Sequence, residues 1–131
     1  MKKKEICIVD DDNIYQIIVR KIIGKMELFS SFSSYKNGKD AIDALKKAAE
    51  NNENIPDIIL LDINMPVMDG WEFMDEIVSY KSKLNQKIAI YIVSSSIAVQ
   101  DKDKAKTYAE ILGFLSKPIT MDALYEIVSE I

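Results

Sequence analysis

Three apolar runs of this chain end in groups able to do chemistry. The run Glu5-Ile-Cys-Ile-Val9 leads into Asp10-Asp11-Asp12, and Asp57-Ile-Ile-Leu-Leu61 leads into Asp62. The run Lys87-Ile-Ala-Ile-Tyr-Ile-Val93 leads into Ser94-Ser95-Ser96, and Lys117-Pro118 follows Gly113-Phe-Leu-Ser116. Each group has an ordinary structural use. Acids suit the first turn of a helix, where the dipole favours them. Serines fill loops, and Lys-Pro suits a surface turn. Their joint position is the informative part, because a parallel sheet would bring all of them to one edge.

Two carboxylates about 4 Å apart repel by roughly 4 kcal/mol at an effective dielectric near 20. Asp10, Asp11 and Asp62 gathered at that distance therefore call for compensation. The donors on offer are oxygens, which selects a hard divalent cation, Mg²⁺ first and Mn²⁺ as a substitute. A carboxylate beside Mg²⁺, a hydroxyl and an ammonium suit phosphoryl transfer. In that scheme Asp62 is the nucleophile, Lys117 neutralises phosphoryl charge, and Ser94 donates a hydrogen bond to a phosphoryl oxygen. Neither a Walker loop nor a dinucleotide glycine loop is present. The chain holds no histidine, which removes histidine catalysis, His-ligated metal and phosphorylation of this chain on histidine.

The elements that must position these groups are legible as alternating patterns. Strands are expected at 5–9, 28–34, 57–61, 87–93 and 113–116. Most are rich in Ile and Val without polar alternation, as in parallel strands covered on both faces. The serine-rich second run suits an edge. Helical spacing links Ile14, Ile17, Ile18 and Ile22, then Ile42, Leu45 and Ala49, then Phe73, Met74, Ile77 and Val78. Tyr108, Ile111 and Leu112 mark the end of a fourth helix. Leu124, Ile127, Val128 and Ile131 mark a fifth, with Thr120 as its N-cap. Asn37-Gly38, Pro56-Asp57 and Asp69-Gly70 are turn signals. Five βα units predict an α/β, doubly wound parallel sheet with right-handed crossovers, in which ligands sit outside the carboxyl ends of the strands.

Bulk properties agree with one domain over residues 1–131, with no effector domain. The 131 residues are 48% hydrophobic, with a net charge of −4 and a pI of about 4.9. This balance argues against a nucleic-acid surface. No apolar stretch approaches the length of a membrane span or a signal-peptide core, so a soluble cytoplasmic protein is expected. Cys7, the one cysteine, reads as a small core residue. Trp71 reads as a packing residue near the site, and Asp101–Lys106 as a solvated helix face.

The elements "IVDDDN", "LLDINMPVMDG", "IVSSS" and "GFLSKPI" come in an order and spacing that resembles the receiver domain of two-component response regulators, most closely the stand-alone, chemotaxis-regulator type. The likeness spans essentially the whole chain. It implies a (βα)5 sheet of five parallel strands in the flavodoxin-like order 2-1-3-4-5. It implies that Asp62 accepts a phosphoryl group from a phosphohistidine of a sensor histidine kinase or phosphotransfer protein. Asp10, Asp11, Asp62 and the backbone carbonyl of Asn64 would hold Mg²⁺, Asp10 partly through water. Ser94 takes the hydroxyl switch position, Phe114 the aromatic switch position, and Lys117 contacts the phosphoryl group. The Lys117–Pro118 bond resembles one that is cis in this family. Asn64 and Ser96 occupy positions that tune phosphoryl hydrolysis. Output would pass through the face made by the fourth helix, fifth strand and fifth helix, in a monomer or weak dimer.

Some positions depart from the commonest pattern. Ser94 stands where Thr is more frequent, and Phe114 where Tyr is. Asp12 adds a third acid facing solvent at the helix start. Two rivals remain. One is a Mg²⁺-dependent phosphohydrolase passing through an aspartyl phosphate, although such enzymes of the haloacid dehalogenase type place an acid where Asn64 stands. The other is a binding module that works without phosphorylation.

Overall fold

The computed structural model describes residues 3–95 and 99–130. In chain order it contains β1 (Lys4–Val9), α1 (Asn13–Met26), β2 (Phe29–Tyr35), α2 (Gly38–Glu50), β3 (Ile58–Leu61), α3 (Gly70–Tyr80), β4 (Ala89–Ser94), α4 (Val99–Ala105), β5 (Ile111–Ser116) and α5 (Met121–Ser129), with one 3₁₀ turn at Lys81–Lys83. The strands pair in parallel in the order β2-β1-β3-β4-β5. This is the doubly wound α/β sheet expected, with the serine-rich strand at an edge.

Alternate residues of each central strand feed two separate cores. Ile6, Ile8, Ile58, Leu60, Ala89, Tyr91 and Val93 point to the side of α1 and α5. Cys7, Val9, Ile59, Leu61, Ile90 and Ile92 point to the side of α2, α3 and α4. Both faces are thus sealed, which is why these strands read as unbroken apolar runs. Cys7 is buried, and burial pushes its thiol up to about 12, despite a Ser33 hydrogen bond acting the other way. It is a packing residue, as expected.

Helix starts follow local chemistry. Asp12 caps α1, accepting from the N–H groups of Ile14 and Tyr15; Asn37 caps α2; Thr120 caps α5. Asp69 and Glu72 form a reciprocal capping box on α3.

Two expectations about helices are corrected. Ile14, Ile17 and Ile18 do not form the buried face of α1; they are 71%, 57% and 46% exposed, and Ile22 only borders the core. The buried stripe is Tyr15, Val19, Ile23 and Met26. Apolar residues surround most of this helix, so periodicity alone leaves its rotation open. Tertiary anchors decide it: Gln16 Nε2 donates to the carbonyls of Asp10 and Tyr35 at 3.0 and 3.2 Å. The second correction concerns Tyr108, Ile111 and Leu112. Helix α4 ends at Ala105, a turn follows, and Ile111 and Leu112 open β5, which begins two residues before the expected 113. Pairing of Ile111 with Ile90 of β4 outweighs the local helical spacing. Ser96 and Ile131 lie outside the described residues, so the tuning position assigned to Ser96 does too.

Candidate functional site

The strand register delivers the acids. Val9 of β1 pairs with Leu61 of β3, so the next residue on each strand is an aspartate. The Asp62 N–H donates to the Val9 carbonyl at 2.9 Å, and the Asp10 N–H to the Tyr35 carbonyl at 3.0 Å. Both carboxylates therefore stand on rigid strand ends. They lie where the chain order reverses direction across the sheet, the place where open α/β folds bind ligands. Asp10 is 1% and Asp62 8% exposed, while Asp11 faces solvent. Carboxylate oxygens of Asp10, Asp11 and Asp62 all lie within 4.8 Å of one another.

The lysine arrives from the far side. Ser94 ends β4 opposite Ser116 of β5, and the Lys117 N–H donates to the Ser94 carbonyl at 3.0 Å. This tie aims the side chain inward. Lys117 Nζ lies 2.7 Å from Asp10 Oδ2 and 4.0 Å from Asp62 Oδ2. Ser94 is buried at the same strand end. The Lys117–Pro118 bond is cis, as expected.

Electrostatics make the acids costly. Burial is the largest influence on Asp62, and the neighbouring Asp10 adds to it. Together they push its carboxyl up to about 6, against the opposing pull of Lys117 and the Ile63 N–H, which donates to Asp62 Oδ1 at 2.9 Å. Burial likewise raises Asp10, while Lys117 and the Asp12 N–H lower it. One ammonium stands against a cluster of three acids, two of them buried. A hard cation held by Asp10, Asp11 and Asp62 would complete the charge balance, and the all-oxygen donor set fits magnesium. Asn64 is exposed on the β3–α3 loop beside them.

That loop is shaped by two close approaches. Gly70 lies against the backbone that carries Asp62: a Cβ there would sit 2.5 Å from the Asp62 carbonyl oxygen and 2.9 Å from the Ile63 Cα. Its N–H donates to the Ile63 carbonyl at 2.8 Å. Further along, the Met68 N–H donates to the Pro66 carbonyl at 2.7 Å, and Val67 between them takes φ 69°. That conformation is rare for a β-branched residue.

Phe114 is half-buried and packs against the core on the α4 side. Trp71, in the same cluster, is buried and stacks on Tyr108 with centroids 5.9 Å apart and planes 14° from parallel. Lys104 lies over the Trp71 ring at 5.2 Å, and the Tyr108 hydroxyl donates to Asp75 at 2.6 Å. Trp71 is the packing residue the sequence suggested, and it ties α3 to the end of α4. Asp12 is exposed at the helix start, as expected, and its side chain caps α1.

One neighbour of the site was not anticipated. Tyr15 lies in the first turn of α1, and the Lys117 ammonium sits over its ring at 4.4 Å from the centroid. Its position three residues after the capping Asp12 was the available signal. The isoleucines around it masked that signal, because they suggested a different buried face.

Comparison with known proteins agrees with this architecture. A crystal structure of a two-component response regulator from Cytophaga hutchinsonii matches with a TM-score of 0.88 and 28% identity, covering 98% of this chain and 97% of that one. Residues 6–129 match the response regulator receiver domain, and the chain belongs to that family. It is 27% identical over 128 residues to the chemotaxis protein CheY of Halobacterium salinarum, covering 98% of this chain and 96% of that protein. It is 25% identical over 128 residues to the probable methanogenesis regulatory protein FilR2 of Methanothrix harundinacea, covering 96% and 79% respectively. The chain is thus a receiver domain of two-component signalling.

Proposed function

We propose that this receiver is a Mg²⁺-dependent phosphoacceptor switch with Asp62 as the acceptor. The observation that carries this reading is the buried Asp62 carboxylate at the end of β3, inside a three-carboxylate cluster and 4.0 Å from a lysine. An Asp62 carboxylate oxygen attacks the phosphorus of a phosphohistidine on a sensor histidine kinase or phosphotransfer protein. The phosphorus–nitrogen bond breaks, and the imidazole leaves. Lys117 exchanges part of its contact with Asp10 for a phosphoryl oxygen, and the Ser94 hydroxyl donates to another. Asp10, Asp11, Asp62 and the Asn64 carbonyl would hold Mg²⁺, which would supply positive charge to offset the negative charge of the carboxylates and phosphoryl group.

The output is a population shift. Ser94 follows the phosphoryl oxygens, and Phe114 takes the space vacated beside it. That reshapes the face of α4, β5 and α5, to which a downstream protein binds. The receiver works in the cytoplasm, monomeric or weakly dimeric. Self-phosphorylation and self-dephosphorylation are its only chemistry. Among the described residues no helix is long and apolar enough to cross a membrane, which is compatible with that location.

The test is intact-protein mass after incubation with Mg²⁺ and acetyl phosphate, beside Asp62→Asn. The expected result is a gain of one phosphoryl group that needs Mg²⁺ and Asp62. No gain from acetyl phosphate or from a phosphorylated histidine kinase would overturn the reading. Turnover of small phosphate esters would favour the phosphohydrolase instead.

A further inference from the structure

The environment of Lys117 has a component that charge alone does not explain. Its ammonium is paired with Asp10 and also lies over the Tyr15 ring, 4.4 Å from the centroid. The ring is 6% exposed, and its hydroxyl is buried with no hydrogen-bond partner among the described residues. A buried hydroxyl without a partner is a net cost, so the hydroxyl does not explain why this side chain sits here. What the ring offers is an electron-rich face, which attracts a cation most strongly where water is excluded.

The ring also stands on a fixed platform. The Tyr15 N–H donates to Asp12 Oδ1 at 3.1 Å, and the adjacent Gln16 is tied to the carbonyls of Asp10 and Tyr35. The Lys117 stem, by contrast, is a flexible chain whose charged end would otherwise swing toward water.

We propose that Tyr15 is a positioning residue for Lys117, its ring face holding the ammonium at the acidic cluster, within reach of a phosphoryl group on Asp62. This rests on the reading of Asp62 as phosphoacceptor. Ring and Asp10 together confine the ammonium. Without the ring it divides its time between Asp10 and solvent, and phosphoryl transfer slows.

The experiment compares Tyr15→Phe, Tyr15→Leu and a series with mono-, di- and trifluorinated phenylalanine at position 15. Fluorine drains the ring face of negative charge while leaving the packing nearly unchanged. Phosphorylation rates with acetyl phosphate are measured at saturating Mg²⁺, and Mg²⁺ affinity is measured separately. Tyr15→Phe is expected within about twofold of wild type, Tyr15→Leu about fivefold slower, and the fluorinated series progressively slower, with Mg²⁺ affinity constant. A flat fluorinated series would overturn the proposal, and so would a Tyr15→Leu rate equal to wild type. If Tyr15→Leu fails to fold, the fluorinated series still decides. A second readout is independent of phosphorylation: NMR signals of the Lys117 ε-protons are expected upfield in wild type, from the ring current, and not in Tyr15→Leu. Unshifted ε-protons in wild type would sink the placement itself. Failure of wild type to take up phosphate, with those protons still shifted, would instead count against the proposed function.

Discussion

The Lys117 ammonium lies 2.7 Å from Asp10 Oδ2 and 4.0 Å from Asp62 Oδ2, so in this state the lysine is paired with the first strand's acid and only borders the third's. Asp10 is almost fully buried and depends on that pair. Removing one partner of a buried pair costs more than removing both, since the survivor is left charged in a poor medium. Lys117→Met is therefore expected to lose about 2 kcal/mol at neutral pH, and Asp10→Asn in the same chain to recover most of it. Urea denaturation of the two single variants and the double variant measures the coupling. Strict additivity would show that the pair contributes nothing.

Asp62 makes stability depend on pH in the metal-free protein. Burial, then Asp10, push its carboxyl from the ordinary 3.8 up to about 6. Between those values the folded protein keeps a proton that the unfolded chain has lost. Stability from this group is thus greatest below about pH 4, declines as pH rises through about 6, and stays low above it, by up to roughly 3 kcal/mol. Raised Asp10 acts in the same direction. With EDTA present, Asp62→Asn is expected to melt several degrees higher than wild type at pH 7, and to show a shallower decline of Tm between pH 4 and 7. Thermal melts across that range check both.

Gly70→Ala places a methyl group 2.5 Å from the Asp62 carbonyl oxygen. The obstacle is backbone, which cannot rotate aside as a side chain would. A loss of about 2 kcal/mol is expected. A fall in phosphorylation rate is expected with it, because the displaced segment carries Asp62. Denaturation and acetyl-phosphate kinetics on the same variant test whether the two effects appear together.

Val67 at φ 69° is 79% exposed, so its side chain does little packing to justify the strain. Strain of this kind costs on the order of 1–3 kcal/mol, and glycine's added freedom in the unfolded chain takes back roughly 0.5–1 kcal/mol. Val67→Gly is therefore expected to stabilise the protein by about 1 kcal/mol. Equal or lower stability in calorimetry would show that the loop relaxes in solution.

The strand ends were readable because each apolar run stops abruptly at a polar residue. That places Asp10, Asp62, Ser94 and Lys117 on one edge of a parallel sheet. The helices were readable in number and less so in detail. On α1 the isoleucines outnumber what one face can bury, so spacing could not choose between the Ile14-Ile17-Ile18 face and the Tyr15-Val19-Ile23 face. After α4, Tyr108, Ile111 and Leu112 carry a helical spacing that a strand start imitates.

By itself, then, the sequence determined the alternation of strands and helices, the N-cap of α5, and the residue types at the carboxyl edge, because these depend on neighbours along the chain. Only the tertiary structure decided the rotation of α1, the partner that Lys117 takes, the ring that Tyr15 sets beneath it and the backbone approach that requires Gly70. Each of those depends on groups that meet in space through the folded backbone and not through the local sequence pattern, and distance in space is what electrostatics and packing respond to.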